Sequence, residues 1–242
     1  MPQCQNRQSD PGSFGIDRFR LRQREESKLE ALFKEELLYL ERKLVKEGFM
    51  FVAGVDEAGR GPLAGPVIAA ACILPESFDL PYLNDSKKLT ARRREDLFER
   101  IKDQASAYAV AGVEAEEIDR MNILHASKLA MKKAIEALHI PPGYVLVDGR
   151  DEIDIVCRQK AVIGGDAKCA CIAAGSILAK VTRDRIMDDL HMLYPQYAFD
   201  KHKGYGTRLH FELLQKYGPC PIHRYSFAPV KALAFRSSSE LA

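Results

Sequence analysis

Thirteen residues, Gly54-Val55-Asp56-Glu57-Ala58-Gly59-Arg60-Gly61-Pro62-Leu63-Ala64-Gly65-Pro66, bring together side chains that could do chemistry. Asp56 and Glu57 follow the apolar run Phe49–Ala53, so the acidic pair is expected where a buried strand ends. Two carboxylates at such a point are costly unless protons, hydrogen bonds or a cation compensate them. Gly59-Arg60-Gly61 then offers a permissive backbone with free amides and one permanently charged fork. Acid for a metal beside base for a phosphate is the pairing that chemistry on a phosphodiester requires.

Two further acidic residues stand at element ends. Asp148 follows the apolar Tyr144-Val145-Leu146-Val147, and Asp166 lies in Gly164-Gly165-Asp166-Ala167-Lys168 ahead of a long helical pattern. Carboxylates at strand ends can converge in the crevice of an open sheet. Four in one pocket repel strongly unless divalent cations neutralise them. Oxygen-only ligation favours Mg²⁺ or Mn²⁺ over zinc, and two such ions can assist an in-line displacement. Each residue also has a plainer reading: Asp166 could cap the long helix and Asp148-Gly149 could be an ordinary turn. Asp56 and Glu57, as neighbours on a regular strand, would point to opposite faces unless the strand ends there.

The elements that must hold these groups are legible in the periodicity. Val67–Leu74, closed by Pro75, reads as a hairpin partner of the first strand. Thr90 caps an expected helix to about Gln104, with Leu97 and Ile101 inward. Tyr108–Val113 reads as a strand, Ile123–Leu138 as a helix, and Ile153–Val156 and Ala161–Ile163 as weaker strands. Ala167–Leu193 is the longest expected helix, and Thr207–Tyr217 another, closed by Gly218-Pro219. Strands alternating with helices make this an α/β domain with a mixed sheet. Before it, Leu29, Phe33, Leu37, Leu40 and Leu44 form one helical stripe within Ser27–Glu47, ended by Gly48. Residues 1–24 read as a mobile segment whose Arg18, Arg20, Arg22 and Arg24 are either a phosphate-touching arm or a solvated tail. The expected division is therefore an N-terminal extension, 1–48, and a catalytic domain, 49–242, with a helical C-terminal region.

Composition narrows the class without identifying it. The chain has 242 residues, 46% hydrophobic and 29% charged, as in soluble globular proteins. A net charge of +2 is too small to mark a nucleic-acid binder. Six cysteines include no CxxC, and no Cys/His set has zinc-ligand spacing. With no apolar signal segment or spanning run, this points to a reducing cytoplasm.

The sequence resembles the bacterial ribonuclease HII family, the type 2 branch of ribonuclease H, from about Phe49 to Ala234. The resemblance is carried by Gly54–Val67, Asp85-Ser86-Lys87-Lys88-Leu89, Val147-Asp148-Gly149 and Gly165-Asp166-Ala167-Lys168. Ala179–Asp184, His202–Thr207 and His223–Val230 extend it in the same order. It implies a ribonuclease H-like mixed sheet flanked by helices, and Mg²⁺- or Mn²⁺-dependent cleavage of RNA in RNA–DNA hybrids and at single ribonucleotides in duplex DNA. Carried over by motif, Asp56, Glu57, Asp148 and Asp166 are the metal-binding carboxylates. Gly59, Arg60 and Gly61 would contact the ribonucleotide 2′-OH and adjacent phosphate, and Tyr205 would stack on the next sugar. Lys87, Lys88, Arg92, Arg93, Arg94, Lys180 and Lys203 would follow phosphates, although a solvated helix face accounts equally for Arg92–Arg94. The implied protein is monomeric, with hybrid or ribonucleotide-bearing duplex as partner and none in a membrane. The alternative from another class is a non-catalytic hybrid-binding module of the same fold. Two positions depart from the usual pattern: Cys169 stands where Ser is usual, and Gly175 where Ala is usual.

Overall fold

The computed structural model of the chain describes residues 35–84 and 86–239. The expected arginine segment before Ser27, the start of the first helix with Leu29 and Phe33, and Asp85 lie outside those residues. The order is α1 (Tyr39–Lys46), β1 (Val52–Ala58), β2 (Val67–Ile73), α2 (Ala91–Gln104), β3 (Ala107–Val113), α3 (Ala115–Met121) and α4 (Ile123–Glu136). There follow β4 (Tyr144–Asp148), β5 (Gln159–Val162), α5 (Ala170–Leu193), α6 (Phe199–His202), α7 (Arg208–Tyr217) and α8 (Ala228–Ser239).

The five strands form one mixed sheet in the order β3-β2-β1-β4-β5. β1 is antiparallel to β2 and parallel to β4, so it is the strand from which both directions are set. Alternation along β2 feeds two cores. Ile68, Ala70 and Cys72 pack with α2 and α5 on one face, and Val67, Ala69, Ala71 and Ile73 pack with α4 on the other. A sheet covered on both sides reads as a continuous apolar run, which is what β2 is.

Helix α5 lies unusually close to the sheet because two glycines face each other across the contact. A Cβ on Gly54 would fall 2.2 Å from the amide nitrogen of Ile172, and one on Gly175 would fall 2.8 Å from the carbonyl oxygen of Ala70. The departure at Gly175 thus has a packing reason. The helix carries the consequence to Ser176, which it sets against Asp56.

Several expectations shift in detail. β1 does not end before the acidic pair but runs on to Ala58, because Asp56, Glu57 and Ala58 still find partners in Ala70, Ala69 and Ile68. Ile153–Val156 is not a strand: the Gln159 amide group takes both the N–H and the C=O of Ile153, at 2.9 and 2.7 Å, leaving neither for a ladder. The long helix starts at Ala170 rather than Ala167, since Gly165–Ala167 first makes a 3₁₀ turn. Asp166 therefore sits in that turn and does not cap the helix.

Helix α1 is docked on this body. Leu37 and Leu38 enter the α5-side core, and Leu44 packs with Phe49, Val52 and Ile172. Its end is a Schellman motif: the amides of Gly48 and Phe49 donate to Val45 and Leu44 at 3.0 Å each, with Gly48 at φ +91°.

Candidate active site

Asp56 lies on the α5 side of β1 and is 4% exposed. Its carboxylate accepts from the Glu57 amide at 2.7 Å and from Ser176, whose hydroxyl lies 2.9 Å from that of Ser86. Burial, then the charges of Glu57 and Asp148, hold the Asp56 carboxyl well above the usual carboxylate range. The pleat sends Glu57 to the other face, as the spacing requires. It still feels Asp148: burial raises its pKa first, Asp148 adds to that, and Arg60 opposes both. The Arg60 guanidinium stands 3.3 Å from Glu57.

β4 reaches the same end one register step beyond the last β1 pairing, Val55 with Val147, and finishes on Asp148. The Asp148 carboxylate accepts from the Gly165 amide at 2.6 Å. One hydrogen bond thereby ties the end of β4 to the turn that carries Asp166, so Asp148-Gly149 is more than a chain reversal. Asp166 is 5% exposed, and Lys87 Nζ lies 3.6 Å from it. The four acidic residues and Lys87 thus face one end of the sheet, although they come from four segments of sequence.

Among the described residues, no three Asp, Glu, His or Cys side chains close on a single point as a ligand shell. The donor set nonetheless fits a hard divalent cation. It is made of oxygen alone, and the charge of Asp148 raises the pKa of both Asp56 and Glu57. Arg60 and Lys87 supply only partial compensation from the rim.

Beside the carboxylates lies the turn Gly59–Gly65. Gly59 has φ +101°, and a Cβ there would meet Arg183 Nε at 2.1 Å, so both conformation and space require glycine. A Cβ on Gly61 would lie 3.8 Å from Cε1 of Tyr205, which puts that half-exposed ring alongside the turn. Lys180 does not stand free: it pairs with Asp184 at 2.6 Å and lies 5.7 Å from the centre of the Tyr205 ring. The backbone under Tyr205 rests on imidazoles, with His210 Nδ1 3.0 Å from the Tyr205 carbonyl and His210 Nε2 3.1 Å from His223 Nε2. Burial holds both rings down to about 4, so they are neutral partners at ordinary pH.

The residues that shape the turn are ones that the pattern of the sequence does not single out. Arg183 and Arg224 are both 0% exposed. Arg183 donates to the carbonyls of Pro66, Lys203 and Ala64, at 3.0, 3.0 and 3.2 Å. Arg224 donates to Gly59, Arg60, Pro62 and Gly65. Nor are Arg92, Arg93 and Arg94 of α2 alike. Arg94 turns inward onto the carbonyls of Ser86 and Leu89, at 2.9 and 2.6 Å, and fixes the segment bearing Lys87, whereas Arg93 covers Tyr82 and Arg92 is exposed. The only signal for Arg183 and Arg224 is that both fall within motifs already quoted, Ala179–Asp184 and His223–Val230.

A mixed sheet in this order, helices on both faces and acidic residues at the ends of β1 and β4 define the ribonuclease H architecture of metal-dependent nucleases. A family model for ribonuclease HII matches residues 53–230. The ribonuclease HII of Desulfitobacterium hafniense (strain DSM 10664 / DCB-2) is 55% identical over 207 residues, 86% of this chain and 78% of the relative. Residues 49–242 number fewer than those 207, so the likeness reaches into the segment before Phe49. Among solved structures, ribonuclease H2 of Pyrococcus horikoshii OT3 is 31% identical with a TM-score of 0.66, covering 77% of this chain and 98% of its own. Ribonuclease HII of Archaeoglobus fulgidus, solved in complex with PCNA, is 29% identical with a TM-score of 0.62, covering 72% and 94%. The chain belongs to the ribonuclease HII family and is a ribonuclease H, a metal-dependent endonuclease.

The remaining features agree with such a protein. Cys72, Cys169, Cys171 and Cys220 are buried and Cys157 half-buried, all as free thiols. Among the described residues no helix is long and apolar enough to cross a membrane.

Proposed function

We propose that this chain cleaves the RNA strand of RNA–DNA hybrids and incises duplex DNA at single embedded ribonucleotides, leaving 3′-hydroxyl and 5′-phosphate ends. The observation that carries this is the juxtaposition at one sheet end of mutually repelling carboxylates with a glycine turn and an aromatic ring. In this reading Asp56, Glu57, Asp148 and Asp166 hold two Mg²⁺ or Mn²⁺ ions. When bound, these ions neutralise the carboxylates, activate a water and stabilise the leaving oxygen.

The protein's own groups do the rest. Ser176 and the Glu57 amide orient the Asp56 carboxylate, and the Gly165 amide orients that of Asp148. The amides of Gly59, Arg60 and Gly61 approach the 2′-OH, the group that distinguishes RNA from DNA, and its neighbouring phosphate. Tyr205 stacks on the following sugar and so favours a junction with DNA. Lys87 and Lys180 lie along the path of the phosphates.

Residues 1–48 act as an extension that adds affinity rather than chemistry, residues 49–242 as the catalytic domain, and the protein works as a cytoplasmic monomer. The test is incubation with a duplex holding one ribonucleotide, in Mg²⁺ or EDTA, beside a continuous hybrid. Metal-dependent cutting at the ribonucleotide supports the reading. Binding of both substrates without cleavage would instead make the chain a hybrid-binding module.

A further inference from the structure

We propose that Arg224 is the positioning residue of the ribose-reading turn: by taking the carbonyls of Gly59, Arg60, Pro62, Leu63 and Gly65, it leaves the turn's amides open to substrate. The proposal rests on the substrate-reading role given above to Gly59, Arg60 and Gly61, and adds to it the residue that makes that role possible.

A guanidinium has five N–H donors. In Arg224 all of them are engaged, and all on this turn. Nε donates to Gly65 at 3.0 Å, one terminal nitrogen to Arg60 and Pro62 at 3.1 and 2.9 Å, and the other to Gly59 and Gly65 at 2.7 and 2.8 Å. The Arg224 backbone amide takes the Leu63 carbonyl as well, at 2.8 Å. Arg183 takes those of Ala64 and Pro66. From Gly59 to Pro66, only the Gly61 carbonyl is left out of the two sets.

The amides show the opposite pattern. Those of Leu63 and Gly65 donate to Gly204 and Ile222, at 2.8 Å each, and hold the turn to its neighbours. Among the described residues, those of Gly59, Arg60 and Gly61 donate to no backbone carbonyl. A turn with all but one of its carbonyls held offers its remaining amides to an incoming oxygen, as anion-binding backbone nests do.

The charge matters as much as the geometry. Among the described residues no ion pair joins either buried guanidinium to a carboxylate, so the positive charge behind the turn rests mainly on carbonyl dipoles, with the Tyr205 and Phe227 rings beside the two groups and Asp184 and Asp119 acting from farther off. It biases the open amides toward an electron-rich partner, a hydroxyl oxygen next to a phosphate. Lysine cannot reproduce this, because three donors on one nitrogen cannot span four carbonyls.

The test compares the full chain with Arg224→Lys, and with Arg183→Lys as a control for burial of charge near the same turn. Binding is followed in EDTA for a duplex with one ribonucleotide and for the same duplex without it, which separates ribose reading from catalysis. We expect Arg224→Lys to keep its affinity for the all-DNA duplex and to lose about tenfold in ribonucleotide preference, the size of one good hydrogen bond. A folded Arg224→Lys with its preference intact overturns the proposal. ¹⁵N relaxation of Gly59, Arg60 and Gly61 gives an independent reading. In the free wild-type chain these amides should be as rigid as the strands, with order parameters about 0.85, and values below about 0.6 overturn the proposal. A wild-type chain without ribonucleotide preference would refute the substrate role of the turn, and the order parameters would then decide the role of Arg224. Should Arg224→Lys not fold, couplings across the hydrogen bonds from the Arg224 guanidinium to the carbonyl carbons of Gly59 and Arg60 must be detectable in the wild type. Their absence overturns it.

Discussion

Glu41 on α1 accepts a hydrogen bond, 3.0 Å long, from the backbone amide of Cys171, the second residue of α5. Cys169, the N-cap residue of α5, contributes no side-chain cap of its own. A carboxylate from a distant helix thus satisfies an orphan amide at the start of α5, and its charge complements the helix dipole there. This is the link by which the segment before the catalytic domain reaches the turn carrying Asp166.

The first prediction follows from that link. Glu41→Ala should cost about 1 kcal/mol, the usual worth of a helix cap. Cys169→Ser, which restores the residue usual at this position, should recover part of that loss only when Glu41 is absent, since the serine hydroxyl can then serve the same amides. Urea unfolding of the four variants forms a double-mutant cycle. Strict additivity would show that Glu41 is not acting as a cap.

The close approach of α5 gives a second. Gly54→Ala would drive a Cβ to within 2.2 Å of the Ile172 amide nitrogen and 2.3 Å of the Cys171 carbonyl carbon, both backbone atoms that cannot swing aside. We expect destabilisation of about 3 kcal/mol or more. Gly175→Ala crowds only the Ala70 carbonyl oxygen, at 2.8 Å, the Gly54 carbonyl standing at 3.4 Å, and gains about 1 kcal/mol of helix propensity, so its net loss should be much smaller. Thermal unfolding orders the two, and equal melting temperatures would contradict the packing.

Where local chemistry decides an element, the sequence was enough. Thr90 and Thr207 accept from the amides of Arg93 and His210 as N-caps, and α2 and α7 begin where they should. Asp56 and Glu57 stood out because an acidic pair at the end of an apolar run has few structural reasons to be there, whereas Asp148 and Asp166 each had an ordinary alternative. Element α3 was not legible, and α8 was foreseen only as part of a helical C-terminal region. α3 is seven residues long, has Glu114 as an N-cap that makes no side-chain hydrogen bond, and buries only Ala115 and Ile118, too little to make a stripe. The two buried arginines were least legible of all. A residue that is nearly always exposed gives no sign in sequence that seven carbonyls of a distant turn and loop await it.

A third prediction concerns pH. Asp56 and Glu57 have pKa values raised above the ordinary carboxylate range, so the folded chain binds more protons there than the unfolded one. Metal-free stability from these groups is therefore lost as pH rises from the ordinary range through the raised values, and is highest below both. Divalent metal should reverse the trend, since it binds the ionised form. The gain in melting temperature on adding Mn²⁺ should grow between about pH 5 and pH 8. A metal effect independent of pH would mean that these carboxylates are not the ones that meet the ion.

The central claim is that the carboxylates at the ends of β1 and β4 are the cleavage site, and Asp148→Asn tests it most directly. Asparagine keeps an oxygen that can accept from Gly165, so the fold should survive, and loss of one repelling charge should leave the metal-free melting temperature no lower than that of the wild type. Turnover on a duplex with a single ribonucleotide in saturating Mg²⁺ should fall by at least about a hundredfold. A folded Asp148→Asn that cuts at the wild-type rate would contradict the account.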